Sequence, residues 1–277
     1  MFIEPLRCSS CGRTGRPGEE GFQSSTEGEE VFVHCECKHK FVVESYRDQQ
    51  ILSGNEFVRL GAASNYSEWG TLALVPGMAA EVKFNRRFDF PCKVYFTPEG
   101  PPIVAKEVFL KGDKMTVVSS IWPGRSLTSE PVRVTWLIYG LIDIEALPTW
   151  YIHFYSAITQ VSNGLYKTGL FDYAVSFETF IESFLGERLR LRYGNELSEY
   201  LLRRTWRIED RCKELLQLAV GRRLTERDDV YQPWERHVRD IRNRLAHGER
   251  IAIDREAAKR AHDAVYQAIR WIESVGP

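Results

Sequence analysis

Of the chain's 12 prolines only Pro233 and Pro277 lie beyond Pro148, and this limits the fold more than any other feature. Proline removes a backbone donor and crowds the preceding helical turn, so a long stretch almost without it can run as helix. The apolar spacing agrees. Leu170, Ala174, Phe177, Ile181 and Phe184 recur at steps of 4, 3, 4 and 3, which is one face of a helix. Leu197, Leu201, Ile208, Cys212, Leu215 and Ala219 continue the habit, with Gly221 as a stop. Trp234, Val238, Ile241 and Leu245 form a third stripe, with Pro233 suited to a first helical turn. Asp254 can cap a last helix whose stripe is Ala261, Val265, Ala268 and Ile272. With a further helix around residues 149–166, these spacings predict an all-α bundle of four or five helices over 148–277.

Before Pro148 the period is different. Between about residues 70 and 145, V-K-F, K-V-Y-F, E-V-F-L, M-T-V-V and V-R-V-T-W-L-I-Y are β-branched and aromatic runs separated by turn residues. They predict a region of β-strands. Residues 1–50 are short, Gly- and Glu-rich, and hold four of the six cysteines. A length of 277 residues suits about two or three compact units, so a multidomain α+β protein is expected.

Charge narrows the partners only locally. With 37 basic and 38 acidic side chains, the net charge of -1 makes no global case for nucleic acid, and any basic patch must be local. No apolar run approaches the roughly 20 residues a membrane span needs, so no membrane partner is expected. The start M-F-I-E-P-L-R-C has no basic stretch followed by an apolar core, which points to a cytoplasmic protein. In that compartment cysteines serve as metal ligands or buried thiols more often than as disulfides.

Cys8-Ser9-Ser10-Cys11-Gly12 is a C-x2-C-G knuckle whose spacing lets two thiolates meet one cation. His34-Cys35-Glu36-Cys37 supplies a second pair. Cys8, Cys11, Cys35 and Cys37 together would close a tetrahedral, structural Zn2+ site. The C-x-C half is tighter than usual, which leaves His34 or His39 as alternative ligands. So small and polar a segment has little core, and metal would supply folding energy. The segment resembles zinc ribbons, which bind nucleic acid in some proteins and serve assembly in others. Cys92 and Cys212 stand alone, and Cys212 sits on an apolar stripe where packing explains it.

In the β region, F-N-R-R-F-D-F-P-C-K-V-Y-F-T (Phe84–Thr97) reads as two strands around Pro91. Val132–Gly140, V-R-V-T-W-L-I-Y-G, is a strand holding Trp136 and ending in Gly140. The pair resembles H-type lectin domains and related phage-tail sandwiches, although an Ile stands where that family has alanine. The resemblance implies a recognition or sensor module with a phage-derived, glycan or protein ligand, and no sugar-binding residue carries over.

The third helical stripe ends in V-R-D-I-R-N-R-L-A-H-G, residues 238–248. At 100° per residue, Asn243 lies about 170° and His247 about 150° from the centre of the apolar stripe, with Arg242 on the flank about 70° away. His247 is therefore not a core histidine. The negative end of the helix dipole favours the imidazolium there. Gly248 suits a C′ position that turns the chain away and leaves the imidazole accessible. The segment resembles the Arg-x4–6-His signature of HEPN domains. That family has a polar residue after the Arg, here Asn243, and often closes on L-A-H-G, here Leu245–Gly248. It carries an acidic residue in an earlier long helix, and F-E-T-F-I-E-S-F-L offers Glu178. The resemblance covers residues 148–275. It implies a metal-independent endoribonuclease of bacterial anti-phage defence or a toxin system. In that family Arg and His of two protomers meet around RNA.

Arg242, Asn243 and His247 are thus the candidate catalytic residues, with Glu178 in support and no catalytic cofactor. A non-catalytic HEPN dimerisation scaffold with a glycan- or protein-binding sandwich is the alternative. The sequence offers no open three-ligand cluster for a zinc-dependent hydrolase. A second basic set, Arg188, Arg190, Arg192, Arg203, Arg204, Arg207 and Arg211, fits an RNA-facing surface or a solvated helix face laced with Glu pairs, and the sequence favours the second.

Overall fold

The computed structural model describes residues 6–7, 14–15, 22–27, 30–38, 40–42, 52, 56–98, 103–121 and 131–276. The chain divides into two compact units, Met1–Ile144 and Glu145–Pro277. It mixes β and α structure. Every strand pairing among the described residues is antiparallel and lies in the first unit. The second unit is helical.

In the first unit, β1 (Leu6–Arg7) pairs with β2 (Thr14–Gly15). Next, β3 (Phe22–Glu27), β4 (Glu30–Cys35) and β5 (Lys40–Val42) form a sheet in that order. A short helix, α1 (Glu56–Ala63), precedes β6 (Tyr66–Leu74). The remaining strands are β7 (Ala79–Lys83), β8 (Phe90–Pro98), β9 (Ile103–Lys111), β10 (Lys114–Ile121) and β11 (Val132–Leu141). They make two three-stranded sheets, β7-β10-β9 and β6-β11-β8. Leu74, Met115, Val117, Val134, Trp136 and Ile138 from both sheets close one core, with Phe84 and Phe88 added from the connection before β8. Gly70 stands opposite Trp136 in the β6–β11 register, and a Cβ there would come within 2.9 Å of the indole. The missing side chain makes room for the ring.

The expected pair of strands around Pro91 is one strand. Phe84 and Phe88 form an edge-on pair 5.2 Å apart in the core. Pro91 is the second residue of edge strand β8, where the register shifts between Tyr139 and Leu141. A missing N–H is tolerated at such an edge bulge.

The second unit contains α2 (Thr149–Ser162), α3 (Tyr166–Tyr193), α4 (Asn195–Arg204), α5 (208–220), α6 (228–246) and α7 (Arg255–Val275). Six helices thus stand where four or five were expected. The stripe from Leu197 to Ala219 is broken at 205–207, and Leu197 is exposed. The break is held by Arg211, which donates to the carbonyls of Thr205 and Leu202. The stripes of α3 and α7 bury as their periods require, except that Phe184 is only half-buried. Leu170, Ala174, Phe177 and Ile181 of α3 are buried, as are Ala261, Val265, Ala268 and Ile272 of α7. Asp254 caps α7, its Oδ1 accepting from the Ala257 N–H at 2.7 Å. Pro233 sits inside α6 rather than in its first turn, because that helix begins at Asp228.

Helices α2 and α3 form a hairpin so close that Gly169 has no room for a side chain. A Cβ there would lie 2.6 Å from Val161 Cγ2 and 3.0 Å from the Ala157 carbonyl oxygen. Alanine is the better helix former by about 1 kcal/mol, but overpacking a tight interface costs about 1–3 kcal/mol. Gly169→Ala should therefore lower the thermal midpoint of unfolding in calorimetry; a rise would show that the two helices separate at no cost.

Candidate functional site

Arg242 and Glu178 are 64 residues apart in sequence, and α6 and α3 bring them together. Arg242 Nη2 lies 3.3 Å from Glu178 Oε1 and 3.5 Å from Oε2, while Nη1 donates to Asn243 Oδ1 at 3.2 Å. The guanidinium is thus oriented by two side chains while 37% of its side-chain surface stays open to solvent. The terminal nitrogens of Arg242 turn to α3. The reason is a single wide π turn at Glu235–Arg239, which changes the rotation of every residue after it. Trp234 and Val238 remain fully buried, but Ile241 and Leu245 are only half-buried, as is Asn243.

His247 is exposed at the end of α6. Its N–H donates to the Asn243 carbonyl at 3.0 Å. The Gly248 N–H reaches Leu245 and the Glu249 N–H reaches Arg244, with Gly248 at φ 80°. This is a Schellman close, which fixes the last turn. An Arg244–Glu249 ion pair at 2.7 Å reinforces it. The helix stays regular to Ala246, so Asn243 and His247 keep their one-turn spacing.

Burial raises the pKa of Glu178, opposed by the charges of Arg242 and Arg211 and aided by Glu209. A carboxyl raised in the folded state takes up protons more readily than in the unfolded chain. It therefore favours folding as pH falls and disfavours it as pH rises through that window. A partly exposed ion pair returns about 0–1 kcal/mol. Glu178 is consequently a poor source of stability and a good positioner of Arg242. Glu178→Gln should leave the melting temperature at neutral pH unchanged or raised and flatten its rise toward acid. A fall of several degrees at pH 7 would make the pair structural.

A second set of ion pairs, not anticipated from spacing, holds the helices behind the site. Arg239 contacts Glu235 at 2.8 Å, Glu209 at 3.1 Å and Asp240 at 2.7 Å, joining α6 to α5. Glu235 also accepts from the Tyr231 hydroxyl, and burial, aided by that bond, raises the tyrosine pKa. Arg211 pairs with Glu182 of α3 at 3.2 Å. Its side chain is only 14% exposed, so it is a half-buried brace rather than part of the solvated helix face that spacing favours. Arg211 opens one π turn, Arg211–Leu215 in α5, and Arg239 closes the other, Glu235–Arg239 in α6. An extra residue in a turn leaves no mark in apolar spacing, which is why this layer escaped the stripe argument. Cys212 is fully buried and burial pushes its thiol up, so it is a packing residue and not a nucleophile.

Of the metal-ligand candidates, Cys8, Cys11 and His39 lie outside the described residues. Cys35 closes β4 and is buried, His34 is half-buried, and Cys37 is exposed in the turn that leads to β5. The Lys38 N–H donates to the Cys35 carbonyl at 2.8 Å, and Lys38 has φ 68°. Among the described residues, no group of three His, Cys, Asp or Glu could hold a metal ion. No described helix is long and apolar enough to cross a membrane. The chain matches no protein-family model, no curated protein and no solved structure.

Proposed function

We propose that the protein is a metal-independent endoribonuclease of the HEPN type, acting as a homodimer in bacterial anti-phage defence or a toxin system. The observation that carries this is the held guanidinium of Arg242, flanked by Glu178 and by Asn243, which lies one helical turn before an exposed His247 at a fixed helix end. The chemistry suits those groups. One imidazole takes the proton of an RNA 2′-OH, and the 2′ oxygen attacks the adjacent phosphorus. The bond from phosphorus to the 5′ oxygen breaks, and the imidazolium of the other protomer protonates the leaving oxygen. Arg242 offers its fork to the phosphate oxygens as their charge grows. The products carry 2′,3′-cyclic phosphate and 5′-OH ends.

In this reading the N-terminal segment is a zinc ribbon on Cys8, Cys11, Cys35 and Cys37. The two-sheet region is a sensor for a phage-derived, glycan or protein ligand, and the protein works in the cytoplasm. The competing reading, a non-catalytic dimerisation scaffold, draws on the same pair: a guanidinium already matched by Glu178 needs no phosphate. Purified protein incubated with RNA in excess chelator separates them. Cleavage to cyclic-phosphate ends is expected; intact RNA, or cleavage that returns only on adding metal, would overturn the proposal.

A further inference from the structure

Helix α4 and the break after it expose aromatic rings among arginines. Trp206 is 74% and Tyr200 55% exposed. The Arg207 guanidinium lies 5.3 Å from the centre of the Trp206 ring and covers one face. Arg204 donates to the Tyr200 hydroxyl at 3.2 Å. Residues 188–207 carry six arginines against two glutamates, in a chain whose net charge is -1. The structure shows one Arg–Glu pair within that stretch, Arg203–Glu199 at 2.9 Å. Arg204 and Arg207 meet no carboxylate among the described residues. This is not the Glu-laced solvated face that spacing alone favours.

We infer that Trp206 and Tyr200, with Arg204 and Arg207, form a stacking platform for single-stranded RNA. Unpaired bases offer a flat face to an exposed ring, whereas a duplex keeps its base faces stacked inside; the arginines neutralise the phosphates between. The platform is held rigidly. Arg211 donates to the Thr205 carbonyl at 2.9 Å, next to Trp206, and pairs with Glu182. Glu182 is one helical turn beyond Glu178 on α3, and Glu178 holds Arg242. A strand seated on Trp206 is therefore tied through one stretch of α3 to the candidate cleavage site. A second copy of the chain fits this surface less well. A two-fold pairing would set the same uncompensated arginines against each other, and like charges oppose association. The choice of RNA over another polyanion rests on the nuclease reading; the stacking itself does not.

The test is the binding of a fluorescent 2′-O-methyl oligouridine, which cannot be cleaved through its 2′ oxygen, to the full-length protein by anisotropy. A duplex of the same strand length serves as competitor. Trp206→Ala should weaken binding by about 5- to 150-fold, from the roughly 1–3 kcal/mol of one stacked base. Trp206→Phe should keep most of the affinity. Arg204→Glu with Arg207→Glu should weaken binding further and flatten its salt dependence. Equal affinity of Trp206→Ala and wild type, preference for the duplex, or no measurable binding by wild type would overturn the platform. So would loss of the dimer in light scattering with oligonucleotide binding intact, which would make the face an interface between copies. Trp206-dependent binding by a protein that never cuts RNA would overturn the nuclease reading and leave the platform standing.

Discussion

His247→Ala is expected to slow cleavage of single-stranded RNA by about 10²–10⁴-fold, the usual contribution of a positioned acid or base. Binding of uncleavable RNA and the melting temperature should change little. The side chain is exposed, and the helix end that carries it is closed by backbone bonds from Gly248 and Glu249, which alanine preserves. A large loss of rate without loss of fold therefore isolates the imidazole. In a two-protomer site each variant subunit removes a base from one half-reaction or an acid from the other. Mixed dimers of wild type and His247→Ala should thus lose most activity rather than half. An unaltered single-turnover rate in the variant would remove His247 from the chemistry.

Arg242→Ala should cost about 10²–10³-fold in the same assay, the range seen when one donor to a developing oxyanion is removed. Arg242→Lys should recover little of it. The two terminal nitrogens of Arg242 are used at once, one toward Glu178 and one toward Asn243, and lysine has a single point of charge. Stability should respond weakly, because the pair is more than a third exposed. An Arg242→Ala enzyme with normal turnover but a lower melting temperature would reduce the Glu178–Arg242 pair to a structural tie.

How far these residues were legible in the sequence follows from what each signal encodes. Apolar period encodes burial, so the stripes of α3 and α7 and the buried residues of β10 and β11 were readable. Cap chemistry encodes ends, so Asp254, Gly221 and Gly248 marked helix boundaries that the backbone bears out: Asp254 caps α7, and both glycines have φ above 70°. Glu178 was the sharpest case, since a carboxylate in a long helix has many partners within reach and only the fold selects Arg242. Period is blind to an inserted residue. The π turns of α5 and α6 therefore went unseen, along with the Arg239 and Arg211 braces they position. Period is blind to breaks as well. Thr205-Trp206-Arg207 kept the apparent stripe from Leu201 to Ile208 while ending one helix and starting the next. The exposed indole of Trp206 depends on that break. Pro91 shows the same limit in the β region, where a proline that looked like a strand boundary sits in an edge bulge of β8.

The most direct measurement is made in cells. Wild type and His247→Ala are expressed at matched levels, and RNA 5′-OH and 2′,3′-cyclic phosphate ends are sequenced genome-wide. New paired ends within single-stranded segments are expected with wild type and absent with His247→Ala. The same ends in both, or none in either once the protein is activated, would contradict RNA cleavage through His247.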